Sequence, residues 1–236
     1  MKLTSIVGTG SGRLGGSVFA VRNGQQIVRT YQPNVANPQA KGQVEQRSKL
    51  KLASQLSAAL AQELYPYGRE GMLSARNQFV RDLFNRGAVT MNDNEVNINM
   101  SEVRLTKSRV MMMYVADPTR DGATLTISGT ILPDFLNKVI GVRAVAVAKS
   151  GLNEPYVAAS AVMNVTSAGV ISGTLSLGSS VPCEVYIYAY VPISNEMLAR
   201  YGSMTMESVS AVELATSVAE VPSGFLYSIT HHFSVN

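Results

Sequence analysis

The sequence holds no tryptophan, two histidines and one cysteine in 236 residues. Each scarcity closes off a class of chemistry. A lone cysteine, Cys183, has no partner in the chain, so no intramolecular disulfide can form and burial has to hold the fold. Its position between Pro182 and a β-like run marks it as a buried, inert thiol. His231 and His232 are adjacent on a segment of strand character, where successive side chains leave on opposite faces, so they cannot converge on one metal ion from a single chain. With tryptophan absent and no aromatic cluster, a stacking platform for sugars is not indicated.

Long apolar runs are missing too. Val110–Ala116 and Val139–Ala148, the latter interrupted by Arg143, are too short to span a bilayer. Only Lys2 precedes the apolar stretch Leu3–Val7, and glycines follow from Gly8, so neither a signal-peptide core nor membrane insertion is expected. No serine nucleophile elbow, Walker loop, metalloprotease helix or calcium loop occurs, and Asp117–Gly122 reads as a turn rather than a ligand set. The expectation is a non-enzymatic protein with no cofactor, no metal and no small-molecule substrate. At 46% hydrophobic and 15% charged residues, the chain can still bury a real core.

Charge is unevenly distributed. Residues 1–110 hold 15 Lys/Arg against 7 Asp/Glu, a net of +8, and residues 111–236 hold 5 against 9, a net of −4, which together give the +4 of the whole chain. The basic part suits nucleic acid or an acidic protein surface, while the remainder suits packing or assembly.

The opening segment contains Gly10-x-Gly12-x-x-Gly15 after a short apolar run. A dinucleotide-binding turn needs a helix to begin there and an acidic residue about 20 positions later. Instead Ser17-Val18-Phe19-Ala20-Val21 alternates as a strand and the first acid is Glu45. A flexible glycine loop leading into a hairpin is the better reading. The hairpin pairs Ser17–Val21 with Gln26–Tyr31 around Asn23-Gly24 and carries Arg13, Arg22 and Arg29 on a thin arm. Such an arm is marginal alone and becomes firm against another domain, subunit or ligand.

Asn37 is a candidate N-cap with Pro38 at the first helical position. Val44, Leu52, Leu56, Ala59, Leu60 and Leu64 then recur at helical spacing, with Lys41, Arg47, Lys49 and Lys51 in the first half. Pro66 and Gly68 end this helix. A second amphipathic segment runs from about Glu70 to Asn85, with Arg76, Arg81 and Arg86 available to its polar face, and the short link predicts an antiparallel pair. These cations could neutralise phosphates without reading sequence. They could equally form an ordinary solvated helix face. No aromatic residue interleaves with Lys41–Lys51, so base stacking is not suggested.

Beyond Ala88 the texture becomes β-like, with segments at Val96–Met100, Arg109–Ala116, Ala123–Leu132, Val139–Ala148, Pro155–Val165, Val170–Leu177, Cys183–Val191, Ser208–Ser217 and Phe225–Val235. A short helix is expected within Pro192–Arg200, capped by Ser194 or Asn195. The fold class is therefore α+β, mainly β. It comprises a glycine-rich loop and β-hairpin arm (1–36), a basic antiparallel helix pair (37–88) and an antiparallel β-sandwich (89–236).

The run VGTGSGRLGGSVFAVRNGQQIVRTYQPNVANPQAKGQVEQRSKLKLASQLSAAL, followed by SARNQFVRDLF, resembles a group of proteins encoded by bacteriophages of gut bacteria. With VYIYAYVP further on, the arrangement is similar to a domain of unknown function common in Bacteroidetes and their phages. The resemblance is strongest over residues 5–84 and implies a virion-associated or DNA-associated role. It leads to the expectation of a virion structural protein, found in the particle and, during assembly, in the host cytoplasm. Its partners would be other virion proteins or copies of itself, with packaged DNA within reach of the N-terminal region. A free, sequence-nonspecific DNA-binding protein and a host-surface adhesin are the alternatives.

Overall fold

A computed structural model describes residues 11–22, 25–33, 39–68, 73–92, 95–136, 138–139, 141–149, 151, 154–178, 180–192 and 225–236. The expected turn at Asn23-Gly24, the Asn37 cap with Pro38, the strand at Ser208–Ser217 and the short helix within Pro192–Arg200 fall wholly or almost wholly outside them. The chain divides into two compact units, Met1–Val44 and Glu45–Asn236.

In the first unit, β1 (Gly12–Leu14), β2 (Ser17–Arg22) and β3 (Gln25–Thr30) form an antiparallel sheet in the order β1-β2-β3. The expected glycine loop is in part a strand. Gly15, at φ 55°, supplies the left-handed turn that folds β1 back onto β2. From Gly12 onward the chain is strand where a cofactor-binding turn would need a helix. Among the described side chains of this sheet none is buried.

In the second unit, α1 continues to Ala59 from its start at Lys41. It begins three residues later than the Asn37-Pro38 signal implies, because Gln39 and Ala40 are not helical. Two 3-10 turns, Ala61–Glu63 and Tyr65–Tyr67, carry the chain through Pro66. α2 (Ala75–Asn85) starts at Ser74, whose hydroxyl accepts from the Asn77 amide at 3.3 Å. It stops at Gly87, φ 67°. The Gly87 and Ala88 amides there donate back to the Phe84 and Leu83 carbonyls, a Schellman closure that only glycine adopts without strain.

A hairpin of β4 (Val89–Asn92) and β5 (Glu95–Ile98) follows. Then comes one curled antiparallel sheet of nine strands: β6 (Met113–Val115), β7 (Thr119–Asp121), β8 (Thr124–Ile131), β9 (Gly141–Ala148), β10 (Val157–Val165), β11 (Val170–Ser176), β12 (Cys183–Pro192), β13 (Phe225–Tyr227) and β14 (His231–Val235). Its order is β13-β12-β9-β10-β11-β8-β6, with β14 also on β12 and β7 also on β8. The sandwich-like core is thus made by one sheet folding over itself. Alternation sets the layers. On β9 and β12, Val142, Ala144, Ala146, Val185, Ile187 and Ala189 point inward against Leu125 and Ile127 of β8 and Ile171 and Leu175 of β11. The alanines of β9 leave room for the larger side chains opposite.

The other face of β9 and β12 presents Val145, Val147, Tyr186 and Tyr188, and these share a second core with Leu56, Leu60, Leu64, Phe79 and Leu83 of the helical layer. Each fully buried Leu or Phe contributes about 1.5–3 kcal/mol. β9 and β12 are buried on both faces, which is why they read as continuous apolar runs. On the outer side, β8 and β11 alternate cleanly, with Thr124, Thr126, Ser128, Ser172, Thr174 and Ser176 exposed.

The Ser228-Ile229-Thr230 break between β13 and β14 stitches the sheet to the segment before β6. The Thr230 hydroxyl accepts from the Leu105 and Thr106 amides at 3.0 and 3.2 Å. The Ile229 amide donates to the Val110 carbonyl at 2.7 Å, and Thr106 Oγ1 donates to the Ser228 carbonyl at 2.7 Å.

Candidate functional site

The nine cations singled out from the sequence fall on several surfaces. On the arm, the registers Arg13↔Val18 and Val18↔Arg29 put Arg13 and Arg29 in one row across three strands, roughly 10 Å apart at the usual strand spacing. The Arg13 guanidinium stacks 3.6 Å above the Tyr31 ring centre, and its Nε donates to the Gly15 carbonyl at 3.1 Å. That contact fixes the side chain without neutralising it. Arg29 is exposed. Arg22 ends β2 opposite Gln25, and its side chain is not among those described. The arm also exposes Leu14 (74%), Val21 and Ile27.

Lys41 is the exposed first residue of α1. Arg47 and Lys51, one turn apart, are exposed on a common side. Lys49 is half-buried and lies 4, 7 and 11 residues before Ala53, Leu56 and Leu60, in line with the stripe α1 buries. The three residues therefore do not form a single patch. Arg76 and Arg81 of α2 line an open groove of about 510 Å³ with Leu50, Ser54, Ser57 and Asn77, and Arg76 Nη2 donates to Ser57 Oγ at 3.5 Å. The helix pair does bring two of the sequence-derived cations together.

A second open groove, of about 530 Å³, was not anticipated. Its lining is Asp82, Asn85, Arg86, Arg104, Arg109 and Ile229. A signal for Arg104 and Arg109 is present in Val103-Arg104-Leu105 and Ser108-Arg109-Val110, where each arginine alternates with buried neighbours. The β segment expected at Arg109–Ala116 is strand only over Met113–Val115, so Arg104 and Arg109 both precede it.

The densest polar cluster ties the helical layer to the sheet. Glu63 is buried. Arg143 Nε lies 2.6 Å from its Oε2, Arg143 Nη2 donates to Oε1 at 3.1 Å, and Ser160 Oγ donates to Oε1 at 2.7 Å. Arg143 also sits 5.5 Å from the Tyr65 ring centre, and the Tyr188 hydroxyl donates to the Tyr65 hydroxyl at 2.8 Å. Burial pushes the Tyr188 and Tyr65 phenols above their ordinary range. Both hold their protons more tightly than a free phenol, with Tyr188 donating and Tyr65 accepting, which suits a fastener between layers.

His231 and His232 pair with Ile187 and Tyr186 and therefore point to opposite faces of the sheet. Desolvation lowers the His231 pKa. His232 Nε2 and Ser234 Oγ each lie 2.7 Å from the same Glu184 oxygen, so the serine donates to the carboxylate instead of the imidazole. A nucleophile–base pair would need the reverse. Among the described residues no group of three or more His, Cys, Asp or Glu could hold a metal ion. No described helix is long and apolar enough to cross a membrane. Comparison of the chain with family models, with curated proteins and with solved structures gives no match.

Proposed function

We propose that this protein is a non-enzymatic structural component of a bacteriophage particle. Its β body packs in place, and its N-terminal arm engages a neighbouring subunit or the shell, with the basic residues around the arm and helix pair facing packaged DNA. The observation that carries the assembly part is the arm itself: three paired strands in which no described side chain is buried, with Leu14, Val21 and Ile27 exposed. A small sheet without a core is marginal in water, and its apolar surface is stabilised only when another surface covers it. Lys2, Arg13, Arg22, Arg29 and Lys41 precede any acidic residue. The covering surface is accordingly an anionic one. The virion part rests on the phage-like sequence pattern of residues 5–84.

Two measurements test the reading. Mass spectrometry of purified particles should find the protein in many copies, and its absence would remove the virion assignment. Light scattering on the full chain should show self-association or capture of particle proteins that Leu14→Asp with Ile27→Asp abolishes while the melting transition of the body is retained. Unchanged assembly in that double variant would remove the arm from the interface.

A further inference from the structure

We infer that the groove between the end of α2 and the segment 103–110 is a phosphate-backbone site, with Arg104 and Arg109 as its anchoring cations and a nucleic-acid strand as its ligand. The fold already accounts for the other charges there. Arg86 caps the C-terminal end of α2, where a cation meets the exposed carbonyls, and its Nε lies 2.9 Å from Asp82 Oδ2. The same Asp82 oxygen lies 2.9 Å from the Tyr67 hydroxyl. Asp82 is thereby held on its own side of the groove. Three arginines against one aspartate leave the lining at +2.

Arg104 and Arg109 have no such use. Among the described residues neither forms an ion pair or a side-chain hydrogen bond, yet the backbone that carries them is firmly held. Val103, Leu105, Ser108 and Val110 are buried on either side of them, which directs both guanidinium groups outward. The Arg104 carbonyl lies 2.9 Å from the Tyr67 hydroxyl, whose single proton goes either to this carbonyl or to Asp82. The Leu105 and Thr106 amides are tied to Thr230, the Val110 amide to Ser108 Oγ, and the Val110 carbonyl to Ile229. Two unpaired guanidinium groups on a pre-organised backbone match phosphate oxygens, which they can engage by paired hydrogen bonds.

The groove is open and far larger than one phosphate, and its lining contains no aromatic ring on which a base could stack. Those features favour successive phosphodiesters of a strand over an enclosed mononucleotide, and they predict contact without sequence preference. The site deepens the DNA-facing part of the proposed function and moves it from the N-terminal cations to Arg104 and Arg109. It is independent of the arm.

The test is fluorescence anisotropy of the full-length protein with a labelled 20-base-pair duplex between about 50 and 200 mM NaCl. Arg104→Gln/Arg109→Gln should weaken binding at low salt about tenfold or more. It should also flatten the plot of log affinity against log salt by about 2, at roughly 0.9 for each phosphate no longer neutralised. Arg109→Glu, at an exposed position, should flatten it by about 1 or more even if the double variant folds poorly. Unlabelled duplex should compete, while inorganic phosphate at matched ionic strength should not. No binding by the parent, or an unchanged slope in both variants, overturns the site. Release of DNA by inorganic phosphate at matched ionic strength overturns the assignment to a strand in favour of a free phosphate group. The arm variant Leu14→Asp/Ile27→Asp should bind DNA as the parent does, so loss of assembly and loss of the groove are separate results.

Discussion

Glu63 and Arg143 are 80 residues apart in the chain and meet with Arg143 Nε 2.6 Å from Glu63 Oε2, joining the turn after α1 to the central strand β9. Glu63 retains only 5% side-chain exposure and Arg143 28%. Removing one partner strands the other where water reaches it poorly, whereas removing both does not. Glu63→Ala should destabilise the fold by about 3 kcal/mol in urea unfolding, and Glu63→Ala with Arg143→Met by clearly less. Additive losses would mean that the two charges are not coupled.

The tyrosines beneath the helices should make the protein sensitive to alkali. Burial raises the pKa values of Tyr65, Tyr67, Tyr186, Tyr188 and Tyr227, with desolvation the largest cause in each case. The unfolded chain ionises near pH 10 while these folded phenols hold their protons, so their contribution is fully present below about pH 10 and is lost as pH rises beyond it. Tyrosinate absorbance from this group should appear together with the loss of far-ultraviolet circular dichroism. A smooth titration with the fold intact would contradict their burial.

Gly129 sits in β8 between Val115 of β6 and Ile171 of β11, and a Cβ there would run into the Tyr114 carbonyl. Because the obstacle is backbone, it cannot rotate away. Gly129→Ala should cost about 2 kcal/mol and lower the melting temperature, whereas Gly122→Asn, in open space at φ 58°, should be nearly silent.

Cys183 is 3% exposed, and burial raises its thiol pKa. A thiol reagent should leave the native protein unlabelled over minutes and modify it stoichiometrically in denaturant. Rapid native labelling would place the end of β12 at the surface.

The alternating and continuous apolar segments were legible because their periodicity is the periodicity of the sheet: Thr124–Ile131, Gly141–Ala148 and Val170–Ser176 sit within a residue or two of where the sequence puts them. What escaped was decided by partners distant in sequence. Thr119–Asp121 reads as a turn, yet it pairs with Thr124–Thr126 as soon as Gly122 reverses the chain. Phe225–Val235 reads as one strand but is broken at Ser228–Thr230, where Ser228 Oγ accepts from the Ala189 amide. Val89–Asn92 becomes a strand by pairing with the segment beside it. Of the cations, Arg76 and Arg81 were found because helical periodicity exposes them. Arg104 and Arg109 were missed because their groove is completed by α2 and Ile229, which are distant from them in sequence.

Strand β12 has β9 on one edge, and among the described residues its other edge is covered by β13 and β14, the first of which begins at Phe225. During synthesis the middle of the molecule emerges long before those residues do. Until β13 and β14 are available to pair with β12, its Tyr- and Val-rich backbone donors and acceptors lack these partners and are open to a neighbouring nascent chain. Folding yield in the cell should thus depend on how quickly residues 225–235 follow β12, and a chain stopped short of Phe225 should be recovered as aggregate rather than as a smaller soluble body.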